Sequence, residues 1–133
     1  MKIKDRIRRS IANRKDKAFL RSEFDRFGSS ASVNMAMREL VQDGFLVRVG
    51  MGVYVPGERA SVDEKAYPKY TPIEWGEAAL RKLGVAPSVS RDRAMYNAGL
   101  TTQLPAGVVM NVGSSRVQRR LAFGRIEVGY ERN

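Results

Sequence analysis

Apolar positions along the chain change period several times, and each change marks an element. Ile3, Ile7 and Ile11 recur at i, i+4 and i+8, one narrow stripe on an otherwise cationic first helix. Leu20, Phe24 and Phe27 give i, i+4 and i+7 on a short second helix. Gly28 is expected to stop it by entering the left-handed region, and Ser22 with Asp25 makes a capping-box pair near its start. The third helix carries the cleanest pattern, with Val33, Ala36, Met37, Leu40 and Val41 on one side. Ser29 or Ser30 caps it, and Gly44 follows its end.

The period then shortens to two. Phe45, Val47 and Val49 alternate with Leu46 and Arg48, and Val53, Tyr54 and Val55 return after Gly50-Met51-Gly52. Two β-rich runs around a glycine-bearing turn predict a hairpin, which Pro56 is expected to end because it cannot donate to the ladder. Residues 57–70 mix Gly, Ser, Pro and charges, and 58–70 read as a hinge. Thr71-Pro72-Ile73-Glu74 opens a fourth helix with an N-cap threonine and a first-turn proline. Ile73, Ala79, Leu80 and Leu83 give that helix its apolar surface, and Gly84 with Pro87 ends it. Arg91–Ala98 predicts a shorter fifth helix. After Pro105 the pattern is β-like at 108–112, 121–123 and 126–130, broken at Gly113 and Gly124. The expected fold is α+β: a winged helix-turn-helix over 1–57, the hinge 58–70, and a small α+β domain over 71–133.

Composition narrows the chemistry. The 133 residues are 43% hydrophobic, enough for a globular core. Lys and Arg number 24 against 14 Asp and Glu, a net charge of +10, and seven of those ten charges fall in residues 1–21. Such an excess attracts polyanions, of which nucleic acid is the usual one; a merely self-repelling, soluble surface is the alternative. Cys and His are both absent, which excludes disulfides, thiolate or imidazole metal ligands, a Cys nucleophile and a His base. Metal-assisted hydrolysis would need converging carboxylates, yet Glu58, Asp63, Glu64, Glu74, Glu77, Asp92, Glu127 and Glu131 form no tight acidic motif. No catalytic residue, metal or cofactor is therefore expected. Met1–Ser10 is too charged for a signal-peptide core, and no run approaches the ~18 apolar residues of a membrane span, so a cytoplasmic protein with no membrane partner is expected.

Helix, short helix, glycine turn, helix and glycine-tipped hairpin is the order of a winged helix-turn-helix. Its third helix buries one stripe and presents the other side to the major groove. Projection at 100° per residue turns Ala31, Met35, Arg38 and Gln42 outward, with Ser32, Asn34 and Glu39 flanking. The candidate base-reading residues are Asn34 (adenine), Met35 (thymine methyl) and Arg38 (guanine). Candidate phosphate ligands are Arg6, Arg8 and Arg9 of the first helix, Arg21, Ser29 and Ser30 with the free amides at the third helix's start, and Arg48 on the hairpin. Gly50 and Gly52 would let the hairpin backbone approach the sugar-phosphate chain. Each of these residues also has an ordinary reading as solvated surface. Arg116, Arg119, Arg120 and Arg125 form a second basic set, either a further nucleic-acid surface or a solvated sheet face. Trp75, Tyr70, Tyr67 and Tyr96 either stack nucleobases or pack in the core and hinge.

The phrases Phe19-Leu20-Arg21-Ser22-Glu23-Phe24, Phe27-Gly28-Ser29, Ala36-Met37-Arg38-Glu39-Leu40-Val41-Gln42-Asp43-Gly44 and Arg48-Val49-Gly50-Met51-Gly52-Val53-Tyr54 resemble the start of AbiEi-type antitoxins. In that family a domain bearing a motif similar to Asn97-Ala98-Gly99-Leu100-Thr101-Thr102-Gln103-Leu104-Pro105 follows. The resemblance spans about Ile7 to Tyr130. It implies a bacterial antitoxin of a type IV toxin–antitoxin (abortive infection) pair that represses its own operon at promoter repeats. Such an antitoxin counteracts a nucleotidyltransferase-like toxin without a stable complex. The family often has a longer C-terminal domain with the antitoxic role, whereas here only residues 71–133 are present to supply that effect or a homodimer contact. A winged-helix module for RNA or a protein partner, without antitoxin activity, is the alternative. Thr101–Pro105 has no catalytic logic: its hydroxyls and amide suit a polar ligand or a capped loop entering a strand.

Overall fold

The computed structural model describes residues 1–105 and 107–133. The isoleucine stripe forms helix α1 (Ile3–Ala12), which buries Ile7 and Ile11 against α2 (Ser30–Gln42). Ser29 closes the start of α2, its Oγ accepting from the Ser32 N–H at 3.2 Å and so satisfying one amide that the first helical turn leaves unpaired. Val33, Ala36, Met37 and Leu40 are the buried stripe of α2, as 3.6 residues per turn requires. Gly44, just past its end, has φ +79°, a conformation that suits glycine.

Between these helices the chain departs from its pattern. Phe19–Leu20 form strand β1, and Arg21–Phe27 form a 3₁₀ helix. Three residues per turn place Phe24 and Phe27 in line, and their rings meet at 6.2 Å. Leu20 precedes this helix, and the carboxylate that closes its start is Glu23, which accepts from the Leu20 N–H at 2.7 Å; Asp25 pairs with Arg21 instead of capping. Gly28 is extended, with φ 167°, not left-handed. A Cβ there would lie 2.6 Å from Ile3 Cδ1, so a larger residue would push aside the end of the Ile3 side chain.

Strands β2 (Leu46–Gly50) and β3 (Val53–Glu58) make the hairpin, in register Val47↔Val55 and Arg48↔Tyr54. Pro56 does not end β3 but lies inside it. The Gly57 N–H donates to the Phe45 carbonyl, so at Pro56 the backbone polar groups face the other edge. There its carbonyl accepts from the Lys69 N–H at 2.9 Å, and the missing N–H breaks no β2–β3 bond. That edge of β3 is shared by β1 at one end and β4 (Tyr67–Pro68) at the other, so the polar 58–70 stretch contributes a strand.

Helix α3 (Pro72–Lys82) starts as its sequence implies, with Thr71 Oγ1 accepting from the Glu74 N–H at 3.3 Å. Then follow β5 (Ser88–Val89), α4 (Arg91–Asn97), β6 (Val108–Asn111), β7 (Ala122–Phe123) and β8 (Ile126–Glu131). The second sheet runs β5-β6-β8-β7, with β6 and β8 parallel and the other pairs antiparallel. The fold is α+β with two sheets.

The pleat of the hairpin sends neighbouring residues to opposite faces. Leu46 and Tyr54 join Ile7, Phe19, Phe24, Met37 and Leu40 in one core. Val47, Val49, Val53 and Val55 enter a second core with Trp75, Leu80, Met110, Leu121 and Val128. The hairpin is thus the middle layer, covered by α1 and α2 on one face and by α3 and the second sheet on the other. Each fully buried large side chain here contributes about 1.5–3 kcal/mol relative to an exposed one. Gly76 lets α3 settle onto the second sheet, since a Cβ would come 2.9 Å from Met110 Cε and 3.2 Å from Val128 Cγ2. A polar tie crosses the same boundary: Lys82 Nζ donates to Glu23 at 2.7 Å and to Asp16 at 2.8 Å. Burial draws the Lys82 ammonium down, but the hydrogen bonds and charges of Asp16 and Glu23 outweigh it and hold its pKa above the ordinary value.

Candidate nucleic-acid interface

Because α2 buries one stripe, its opposite side is bare: Ala31, Asn34, Met35, Arg38 and Gln42 are all exposed, Met35 by 60%. Arg38 forms no ion pair among the described residues. At the start of the helix Ser29 and Ser30 are exposed, although the Ser29 hydroxyl is already engaged with the Ser32 N–H and hydroxyl.

Arg21 is the centre of this region. Its backbone N–H donates to the Gly52 carbonyl at the hairpin tip at 2.9 Å. Its guanidinium donates from Nε to Asn34 Oδ1 at 2.8 Å and from Nη2 to the Ser30 carbonyl and hydroxyl at 3.1 and 3.2 Å. The same group pairs with Asp25. Arg21 therefore joins the hairpin, the 3₁₀ helix and the first turns of α2, and its charge is spent largely within the protein. Asn34 keeps its NH₂ donor and a second lone pair on Oδ1 for an outside partner. Spacing alone carries no signal for this bond.

On the hairpin, Arg48 is exposed and its Nε donates to the Gly50 carbonyl at 3.2 Å. The close approach that Gly50 permits is taken up internally: a Cβ would lie 2.7 Å from the Arg120 carbonyl oxygen and 3.1 Å from Leu121 Cδ2. Beside it, Arg119 Nη1 donates to the Met51 carbonyl at 2.8 Å across 68 residues of sequence. Arg119 and Arg120, two members of the second basic set, thus sit at the hairpin tip.

The basic residues of α1 divide into two groups. Lys4 pairs with Asp43 at 2.6 Å and with Glu39 at 3.7 Å, and the hydrogen bond to Asp43 raises its pKa. Arg14, just after α1, pairs with Glu23 at 2.9 Å. Arg6, Arg8 and Arg9 remain exposed. The Arg6 guanidinium lies over Phe27 at 5.2 Å and that of Arg8 over Phe45 at 4.8 Å, contacts worth about 0.5–1 kcal/mol each at exposed sites.

The profile of a family of unknown function, DUF6088, matches residues 2–132. The chain belongs to that family. No curated protein matches it. The match takes in both hydrophobic cores, so the DUF6088 unit runs from α1 through β8.

Elsewhere in the DUF6088 chain other candidates are placed. Trp75 is 1% exposed and packs in the second core, which leaves it no face for a base. Tyr70 is half-buried beneath Lys17 and Lys69, while Tyr67 and Tyr96 are exposed. In the Thr101–Pro105 phrase the Gln103 N–H donates to Thr101 Oγ1 at 3.2 Å, a turn that presents Thr102, Gln103 and Leu104 to solvent. Pro105 lines a cavity of about 360 Å³ between α3, β5, α4 and β6, with Ile73, Arg81, Ser90 and Arg93 among its walls. Among the described residues no group of three or more Asp and Glu is placed to hold a metal ion, and no helix is long and apolar enough to cross a membrane.

Proposed function

We propose that the protein is a sequence-specific DNA-binding regulator built on a winged helix-turn-helix, with α2 in the major groove and the β2–β3 hairpin as the wing. The observation that carries this reading is the bare outer side of α2, with Asn34, Met35 and Arg38 exposed beside a hairpin tip tied to it by Arg21. The major groove accepts an α-helix and shows a distinct donor and acceptor pattern for each base pair. Arg38 is suited to guanine, the free amide of Asn34 to a base acceptor, and Met35 to a thymine methyl. Ser29, Ser30, Arg48 and the exposed arginines of α1 suit phosphates, which position a protein without reading sequence. The net charge of +10 supplies the sequence-independent attraction on which such reading rests.

The resemblance to AbiEi-type antitoxins supports a narrower reading. On it, the protein represses its own toxin–antitoxin operon by binding promoter repeats and counteracts a nucleotidyltransferase-like toxin. It acts in the cytoplasm without enzymatic activity, metal or cofactor, and two copies engage paired repeats.

Selection of bound sites from a random duplex pool tests this. One sequence should be enriched, and Arg38→Ala should cost ~1–3 kcal/mol on it while relaxing the preference at one base position. Equal loss on random DNA moves Arg38 to the phosphate contacts. No enriched sequence overturns the reading.

A further inference from the structure

We infer that the C-terminal half completes the wing: Arg119 and Arg120, docked on the hairpin tip, bind phosphates of the same duplex that α2 faces. This inference rests on the reading of α2 as the DNA-facing helix. The tip is claimed from two sides, by the Arg21 N–H on the Gly52 carbonyl at 2.9 Å and by the Arg119 guanidinium on the Met51 carbonyl at 2.8 Å. A chain of contacts therefore runs from Asn34 and Ser30 through Arg21, across Gly52 and Met51, to Arg119. Arg48, Gly50, Met51 and Arg120 line one shallow depression, and at its rim the Arg48 and Arg119 guanidinium groups each donate to a backbone carbonyl of the tip, those of Gly50 and Met51.

The segment that presents these arginines is held in place. Leu121 is fully buried in the second core. The Tyr130 hydroxyl donates to the Arg119 carbonyl, and Arg132 donates to the carbonyls of Ser115 and Val117. Strand β7 lies against β2. The Arg119 and Arg120 side chains are nonetheless exposed. Arg120 pairs with Glu127 at 3.1 Å with 74% of its side chain exposed. An ion pair this exposed is screened by water and contributes little, so a phosphate can replace the carboxylate at little cost. Guanidinium groups suit phosphate through their planar fork of donors. Their continuity with the outer side of α2 favours a duplex lying across both halves over an acidic protein segment or an RNA.

The test uses the full chain with Arg119 and Arg120 both changed to Gln, titrated with the selected duplex and with random duplex over a range of salt. Affinity should fall alike on both, and the slope of log K against log salt should become shallower by roughly 1.8, about 0.9 for each phosphate no longer neutralised. The base preference should stay unchanged. The double Lys variant, which keeps the charge but not the guanidinium fork, should restore the slope. Arg93→Gln on α4, which follows the opposite edge strand of the second sheet, should leave it alone. An unchanged slope in the Gln variant overturns the inference even where Arg38→Ala behaves as proposed, so the two ideas fail separately. Loss at a single base position, or loss on structured RNA with duplex affinity intact, overturns it too. A second measurement does not depend on the arginines being replaceable. The chain has no cysteine, so Gln118→Cys can carry an iron chelate that cleaves nearby DNA. Cleavage at the edge of the protected site is expected, and none would overturn the inference.

Discussion

Arg21 Nε donates to Asn34 Oδ1 at 2.8 Å, so a candidate base-reading side chain is oriented by an arginine from the preceding 3₁₀ helix. The amide oxygen is engaged while the NH₂ group of this exposed residue stays available as a donor, which suits an acceptor on a base edge. On the proposed reading, Asn34→Ala should cost ~1–3 kcal/mol on the selected duplex and little on random DNA. Arg21→Gln should weaken binding to every duplex and also lower the melting temperature, since it unties Ser30, Asn34 and Asp25 together. Duplex titrations and thermal melts check both. An Asn34→Ala protein with unaltered affinity would mean that Asn34 serves only to hold Arg21.

The three exposed arginines of α1 should act on the DNA backbone alone. Neutralising Arg6, Arg8 and Arg9 should weaken all duplexes equally and reduce the salt slope by roughly 2.7. Arg6→Gln and Arg8→Gln should each also cost about 0.5–1 kcal/mol of folding stability, because each gives up an aromatic face. Arg9→Gln should not. Denaturant melts separate the two effects, and an unchanged slope would take α1 out of the interface.

Trp75 is the single tryptophan and is buried where α3 meets the valine face of the hairpin. Trp75→Ala should cost ~3–5 kcal/mol. Because that core joins the two halves, tryptophan fluorescence and helical circular dichroism should report one coincident unfolding transition. A fragment ending at Gly57 should fail to melt cooperatively, since Val47, Val49, Val53 and Val55 would be left without cover. Two separate transitions in the full chain would show that the halves fold independently.

Glu131 accepts from the Asn111 side-chain amide at 3.0 Å and from the Arg91 N–H at 2.9 Å, and these bonds hold its pKa below the ordinary 4.5. A carboxylate with a lowered folded-state pKa adds stability above its unfolded value and loses it as pH falls through the folded one. The melting-temperature advantage of the native protein over Glu131→Gln should therefore be constant above pH 4.5 and shrink below it. An advantage independent of pH throughout the acid range would mean that the charge of Glu131 is not what holds the start of α4.

Some of this architecture is legible in the residues alone. α1, α2, α3 and the two hairpin strands each contain enough residues to display a period of 3.6 or 2, so apolar spacing locates them and the buried stripe of α2 names its bare side. Strands β1, β4 and β5 have two residues each, too few to alternate, and exist because an adjoining strand offers them an edge. The 3₁₀ turn escaped for a related reason: Leu20, Phe24 and Phe27 have α-helical spacing, but the Leu20 backbone pairs with Val53 instead.

Charge divides in the same way. The sequence by itself determined the basic excess and its concentration near the N terminus. Only tertiary structure decided which cations are consumed by partners, as Lys4 is by Asp43 and Lys82 by Glu23 and Asp16, and which stay exposed. It also decided that Arg119 meets Met51. That contact follows from burying the second valine face of the hairpin, which draws in residues 68 positions away. Local periodicity reports the side of an element that must be hidden; the partner that hides it is set by the global packing of the chain.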